Sequence, residues 1–263
     1  MLLKNKVAVI YGAGGYVGSA IARAFARDGA SVYVTGRHRE PIVGLAKEIV
    51  AAGGVAEPAH VDALDEDQVE RHLDGVVEKA GRIDVSFNAT GIPQVGIQGI
   101  PLTSLPVESF ALPIATYLRS NFLTARAAAR RMVEKKSGAI LMITPEPARL
   151  GAPLVGGMGP AWAAMEGLTR SLSAELAAQG VRAVCLRSTG LPETGTIDVV
   201  FGLHAKAMGI DAKQFLALVE SRTHRQRSTS LAELADAAVF LASDRARALT
   251  GTVANLTGGI VVD

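Results

Sequence analysis

Short apolar runs alternate along the chain with longer segments whose apolar positions recur every three to four residues. Residues 7–11 (VAVIY) are apolar without interruption and stop at a glycine, as a strand buried on both faces should. Residues 19–27 place Ile21 and Phe25 on one side and Arg23 and Arg27 on another, an amphipathic helix closed by Gly29. The same alternation predicts strands at 31–35, 55–61, 84–89, 139–143, 181–186 and 253–256, the 55–61 strand being the poorest. Helices are predicted at 42–52, 65–80, 108–134, 161–178 and 231–241. Seven strands separated by helices predict an α/β fold with a parallel sheet covered on both faces. A closed eight-stranded barrel would need one more strand–helix unit and gives no reason for a glycine-rich turn after the first strand. Segment 195–229 breaks the rhythm and carries His204, Lys206, Lys213, Arg222, His224, Arg225 and Arg227. It reads as a helical lid over a site near the strand carboxyl ends, or as an ordinary surface insertion.

Composition narrows the classes. The 263 residues are 49% hydrophobic and 20% charged, enough for a continuous core and unlike a disordered chain. The one cysteine, Cys185, lies in the apolar run VRAVCL and excludes a disulfide scaffold. A formal charge of +2 gives no electrostatic case for nucleic acid. Charged residues and a glycine-rich motif interrupt the N-terminal segment, so it does not read as a cleavable signal. The longest uncharged stretch, 85–107, is broken by Asn88, Gln94, Gln98 and several Gly and Pro, so no membrane span is expected. A cytoplasmic protein is the expectation. The five histidines are scattered and the carboxylates show no ligand spacing, so no metal site is expected.

Candidate chemistry begins at the first predicted strand–helix turn, Gly12-Ala13-Gly14-Gly15-Tyr16-Val17-Gly18. Glycines there let the backbone turn tightly and approach a pyrophosphate, whose charge faces the helix N-terminus. The second strand ends Thr35-Gly36-Arg37-His38-Arg39, with no acid to meet a ribose 2′-hydroxyl. Arginine forks onto a 2′-phosphate, so NADP(H) is favoured over NAD(H), the alternative being a solvated basic turn. Asp62, after the third strand, is placed to approach the adenine.

With these residues placed, the chain resembles the short-chain dehydrogenase/reductase superfamily along essentially its whole length. The resemblance is carried by the glycine turn, Val61-Asp62-Ala63, and Asp84 to Gly91, whose Asn88-Ala89-Thr90-Gly91 is similar to the family's Asn-Asn-Ala-Gly. Asn121, Gly138-Ala139-Ile140, Thr189-Gly190 with Thr194, and the tail around Phe240 and Leu249-Thr250-Gly251 extend it. It implies a single Rossmann-type doubly wound domain over 1–263 and a homotetramer or homodimer. Implied cofactor contacts are Gly12, Gly14, Gly15, Tyr16, Val17, Gly18, Arg37, Asp62, Ala63, Asn88, Ala89 and Gly190.

The departures bear on chemistry. The family uses a serine and a Tyr-x-x-x-Lys unit: the tyrosine moves the proton, the lysine lowers its pKa and holds the ribose, and the serine orients the substrate oxygen. Alignment of 157–168 places Met158 at the tyrosine and Trp162 at the lysine, with Pro145 at the serine and Thr144 before it. The spacing of enoyl reductases would put Val155 at the tyrosine and leaves Trp162 at the lysine. Asn121, Thr144 and Tyr117, one helical turn before Asn121, are the remaining candidates for catalytic roles. Two functions follow as expectations. One is an atypical oxidoreductase moving hydride between NADP(H) and a small, largely apolar carbonyl, enone or related substrate. The other is a catalytically inactive NADP(H)-binding pseudoenzyme, a sensor or partner subunit. A third, a structural subunit with an empty crevice, would follow if Tyr16 crowds the phosphates. The substrate walls would be 92–105, 146–158 and the lid, where Glu146 and Arg149 are the charged residues.

Overall fold

The computed structural model describes residues 1–262. Seven parallel strands form one sheet: β1 (Val7–Tyr11), β2 (Ser31–Gly36), β3 (Val55–His60), β4 (Val85–Asn88), β5 (Gly138–Pro145), β6 (Val181–Ser188) and β7 (Thr252–Leu256). Their order is β3-β2-β1-β4-β5-β6-β7, so the winding reverses between β1 and β4. Eight α-helices cover the sheet: α1 (Tyr16–Arg27), α2 (Arg39–Ala51), α3 (Glu66–Ala80), α4 (Val107–Lys135), α5 (Met158–Leu176), α6 (Gly195–Met208), α7 (Ala212–Ser221) and α8 (Leu231–Ala242). This is the single Rossmann-type α/β domain with a seven-stranded parallel sheet and helices on both faces.

Alternation along each strand assigns the two cores. In β1, Ala8 and Ile10 join Ile21 and Phe25 of α1, Leu45 and Ile49 of α2, and Leu234 and Val239 of α8. Val7, Val9 and Tyr11 face the other layer, with Leu73 of α3, Ala125 and Met132 of α4, and Met165 of α5. Cys185 is fully buried in that second layer as a small core residue. Strand β3 lies at the edge of the sheet, which is why Pro58, lacking a ladder donor, is tolerated there.

Element starts differ from the expectation where Gly or Pro stands in a first turn. α1 begins at Tyr16 rather than residue 19, because Gly15 supplies the extended N-cap within the glycine cluster. α2 begins at Arg39 and α5 at Met158, with Pro41 and Pro160 in first turns, where a missing N–H costs nothing. α4 runs through Pro113. Segment 195–229 is helical in two pieces, α6 and α7, followed by a loop. Gly209 in the left-handed conformation ends α6 (φ 70°).

Candidate active site

The reversal of winding between β1 and β4 opens a crevice at the strand carboxyl ends, the position where doubly wound sheets bind ligands. On one side of it lies the glycine turn. Gly12 adopts φ +70°, and a Cβ on it would stand 2.6 Å from the Ala89 carbonyl oxygen. A Cβ on Gly18 would collide with the Gly12 carbonyl, so helix and turn approach as closely as backbone allows. Ala13 N–H donates to the Thr35 carbonyl at 2.9 Å, and the Thr35 hydroxyl donates to the Ile10 carbonyl at 3.1 Å, tying the turn to β2. No side chain caps α1 and no acid stands in its first turn. Its leading N–H groups and the positive end of its dipole are therefore presented to the crevice, a cradle that fits a dinucleotide pyrophosphate. Tyr16 does not fill that cradle. It is half-exposed, and its hydroxyl lies over Gly195 at the start of α6, so that its ring bridges the two helix N-termini.

The remaining cofactor candidates ring the same crevice. Arg37, His38 and Arg39 are exposed at the end of β2. The Asp62 carboxylate accepts the Leu64 N–H at 3.0 Å, shaping the turn that also holds Ala63. Asn88, buried at the end of β4, accepts the Thr90 N–H at 2.8 Å and donates to the Thr124 hydroxyl at 3.0 Å. Ala89 N–H donates to the Tyr11 carbonyl at 2.9 Å. Gly190 packs against Phe201 of α6, where a Cβ would meet the ring at 3.0 Å.

The candidates for chemistry separate into three groups. Thr144 is fully buried and its hydroxyl is committed within the protein: it donates to Glu166 Oε1 at 3.1 Å and touches Cys185 Sγ at 3.5 Å. Arg187 of β6 closes that cluster with a two-pronged pair to Glu166, both bonds 2.8 Å. A second group joins α4 and α5. The Asn121 amide donates to the Tyr117 carbonyl at 2.9 Å and reaches Met165 Sδ at 3.8 Å, and the Tyr117 and Trp162 rings lie 6.4 Å apart. The Tyr117 phenol is hydrogen-bonded by the Gln94 side chain and the Ile92 backbone; burial pushes its pKa up to about 12, which makes it a weaker acid than free tyrosine. Met158, fully buried, opens α5 and Trp162 follows one turn later. The third group lies at the carboxyl end of β5, where Pro145 leads into a short 3₁₀ turn at Glu146.

Glu146 has an Oε2 that is completely covered and has no hydrogen-bond partner among the described residues. Burial raises its pKa to about 7, against weaker opposing effects from a hydrogen bond with its own backbone N–H and from Arg222 beyond the end of α7. His204 of α6 meets Gln98 Oε1 at 3.0 Å. The Gln98 amide donates to Gln94 Oε1 at 2.6 Å, and the Gln94 amide donates to the Ile92 carbonyl at 2.7 Å. Burial lowers the His204 pKa, so the ring is neutral in this chain of amides. This chain latches α6 to the loop after β4. Sequence reasoning missed the Glu166–Arg187 pair and the two glutamines. The pair had a signal: an arginine inside a strand buried on both faces requires a carboxylate partner. The glutamines had none, because their partners come from elements remote in sequence.

Residues 12–261 match the family model described as Enoyl-(Acyl carrier protein) reductase. L-rhamnose 1-dehydrogenase (NAD(P)(+)) of Azotobacter vinelandii is 31% identical over 277 aligned positions, covering 100% of this chain and 99% of that protein. Among solved structures, the sorbitol-6-phosphate 2-dehydrogenase SrlD of Erwinia amylovora superimposes with a TM-score of 0.91 at 26% identity, covering 97% of this chain and 100% of the other. The gluconate 5-dehydrogenase of Burkholderia cenocepacia J2315, in complex with NADP and tartrate, gives 0.85 at 27% identity, covering 98% and 96%. A glycine cradle at the switch point of a seven-stranded parallel sheet, with matches along the whole length, defines a dinucleotide-dependent oxidoreductase fold. The chain belongs to the short-chain dehydrogenase/reductase superfamily.

Proposed function

We propose that the protein is an NADP(H)-dependent oxidoreductase acting on a small, largely apolar carbonyl, enone or related compound, without the family's usual proton relay. In this reading Pro145, Met158 and Trp162 stand at the serine, tyrosine and lysine positions. A thioether has no proton to give and an indole no ammonium with which to hold a ribose or lower a neighbouring pKa. The observation that carries the proposal is the retained cradle: close backbone approach at Gly12 and Gly18, and an uncapped α1 facing the crevice. The dinucleotide supplies hydride when bound. The residues that would hold it are the glycine turn with Tyr16 and Val17, Asp62 and Ala63, Asn88 and Ala89, and Gly190. Arg37, exposed where a carboxylate would select a free 2′-hydroxyl, supports NADP(H); two relatives described above carry NAD(P) or NADP in their names. The latched α6, with α7, forms the lid over the substrate. The reading extends to a cytoplasmic homo-oligomer with no nucleic-acid partner; no helix among the described residues is long and apolar enough to cross a membrane.

Binding titrations with NADPH and NADH test the cofactor assignment. The wild type is expected to prefer NADPH, and Arg37→Glu to weaken NADPH by about tenfold or more while sparing NADH, since a fork to the 2′-phosphate becomes a repulsion. Equal affinities in the wild type would remove the preference. A second reading is favoured by the Tyr117 phenol, which burial makes unfit as a substitute acid. It is an NADP(H)-binding pseudoenzyme, which binds NADPH saturably and turns over nothing.

A further inference from the structure

Tyr16 opens α1, and its hydroxyl lies on Gly195, the first residue of α6. A Cβ on Gly195 would stand 2.6 Å from the hydroxyl oxygen and 3.2 Å from the ring carbon that bears it. The residue is nonetheless 52% exposed, so the ring spans an opening rather than filling a core. β1 lies between β2 and β4 in the sheet. A dinucleotide reaching from Arg37, after β2, to Asn88, at the end of β4, therefore crosses the turn after β1, where its pyrophosphate meets the start of α1. The Tyr16 ring runs from that turn to α6, over the same path. Of the two sides of the contact, α6 is the fixed one. Thr194, itself buried, caps it by accepting the Ile197 N–H at 3.3 Å, and Phe201 packs on Gly190. Farther along, His204 meets Gln98, and a Cβ on Gly99 would stand 2.9 Å from the Leu203 carbonyl oxygen, so α6 and the loop after β4 are in close backbone contact. The Tyr16 side chain, half in solvent, has room to turn about its two single bonds.

We propose that Tyr16 is a clasp over the cofactor crevice: its ring, laid on Gly195, closes the path of the dinucleotide and has to swing off α6 before NADP(H) enters or leaves. This rests on the dinucleotide reading and deepens it, naming a control on exchange at that same site. Because Tyr16 leaves the glycine cradle unfilled, the clasp closes over an empty and an occupied crevice alike. It therefore slows entry and exit together and leaves affinity nearly unchanged. A side chain that simply bound the cofactor would act on affinity, mainly through the exit rate. A clasp closed about nine-tenths of the time lowers both rates about tenfold. Exit of the spent dinucleotide is then a slow step of turnover.

Stopped-flow binding of NADPH, read by its own fluorescence, compares wild type with Tyr16→Ala, Tyr16→Phe, Gly195→Ala and the Tyr16→Ala/Gly195→Ala double variant. Tyr16→Ala is expected to raise the association and dissociation rate constants together by about tenfold, with Kd within about threefold of wild type. Tyr16→Phe keeps the ring and should stay near wild type. Gly195→Ala puts a methyl where the hydroxyl lies. The far end of a flexible side chain yields before a capped helix does, so this variant should open the clasp and speed both rates as Tyr16→Ala does. In the double variant the methyl has no hydroxyl to displace, and the rates should equal those of Tyr16→Ala alone. A second readout needs no cofactor. The chain has four tyrosines, so protein labelled with 3-fluorotyrosine gives four ¹⁹F signals, and Gly195→Ala is expected to shift the one that Tyr16→Phe removes. Tyr16→Ala rate constants within about threefold of wild type, or a change confined to dissociation and so to Kd, overturn the clasp and leave the dinucleotide reading standing. Wild type that binds neither NADPH nor NADH sinks that reading and the clasp with it. Should Tyr16→Ala fail to fold, Gly195→Ala decides by the same rates.

Discussion

Arg187 lies inside β6 with a side chain only a few per cent exposed, and Glu166 meets it from α5 equally buried. Desolvating both ions is expensive, and the two parallel 2.8 Å bonds with the Thr144 hydroxyl offset that cost. Removing one partner therefore costs more than the pair contributes. Glu166→Gln is expected to lower unfolding free energy by about 3–5 kcal/mol, because it takes the countercharge from a buried guanidinium. Urea unfolding checks it; a loss below about 1 kcal/mol would mean that other contacts of Arg187 carry the charge. Joint replacement by apolar residues of similar volume should cost far less than either single change. The same cluster explains why Thr144 is a poor candidate for orienting substrate: it is fully buried and its hydroxyl is committed to Glu166. Side-chain alternation along a strand decides this, and the alternation is visible in the sequence, whereas the partner waiting on α5 is not.

At the scale of elements, the glycine turn and α1 work as one piece, because Gly12 and Gly18 meet backbone to backbone. Gly18→Ala would push a methyl into the Gly12 carbonyl and lift the helix N-terminus from the crevice. Such overpacking costs about 1–3 kcal/mol, and NADPH affinity is expected to drop about tenfold or more. Unchanged affinity with unchanged stability would show that the turn does not hold the phosphates. This turn was legible from the chain alone, since a strand, a glycine cluster and an amphipathic helix are local patterns. So were the seven strands and the parallel sheet covered on both faces, which follow from apolar runs alternating with helical segments. What was not legible depends on approach between distant elements. Helix α4 continues through Pro113, which a local rule would make a break; Gly157, ahead of α5, packs directly on the Phe110 carbonyl and Pro113 there. The Gln94–Gln98–His204 latch is likewise tertiary: a loop after β4 and a helix beyond β6 meet only once the sheet is assembled. Glu146 reads in the sequence only as a charged residue of a substrate wall, and it is packing that raises its pKa.

Over the whole molecule these buried groups give stability a particular dependence on pH. Glu146 is raised from 4.5 to about 7, so folding favours its protonated form. The stability this contributes is complete below pH 4.5 and is lost as pH rises through 7, a loss of roughly 3 kcal/mol at 1.36 kcal/mol per unit. His72 of α3 works in the opposite sense. Both its ring nitrogens are buried without hydrogen-bond partners among the described residues, and burial lowers its pKa from 6.5 to about 4. Its neutral form is favoured by folding, so that stability is present above pH 6.5 and is lost, by a similar amount, as pH falls to 4. His204, also lowered by burial, adds to the acid side, as does Glu233, whose carboxylate is held down by the Ser230 backbone N–H and Arg227. The opposing slopes overlap between pH 4.5 and 6.5, so wild type should show a broad stability plateau there. Urea midpoints measured from pH 4 to 8 separate the two contributions. Glu146→Gln should remove the decline toward pH 7, leaving stability that rises through the window. His72→Leu should remove much of the acid-side loss, leaving stability that falls with rising pH. Parallel profiles for all three proteins would mean that neither group changes its protonation on folding. In that case the carboxyl at the end of β5 would be open to water and would titrate as any surface glutamate does.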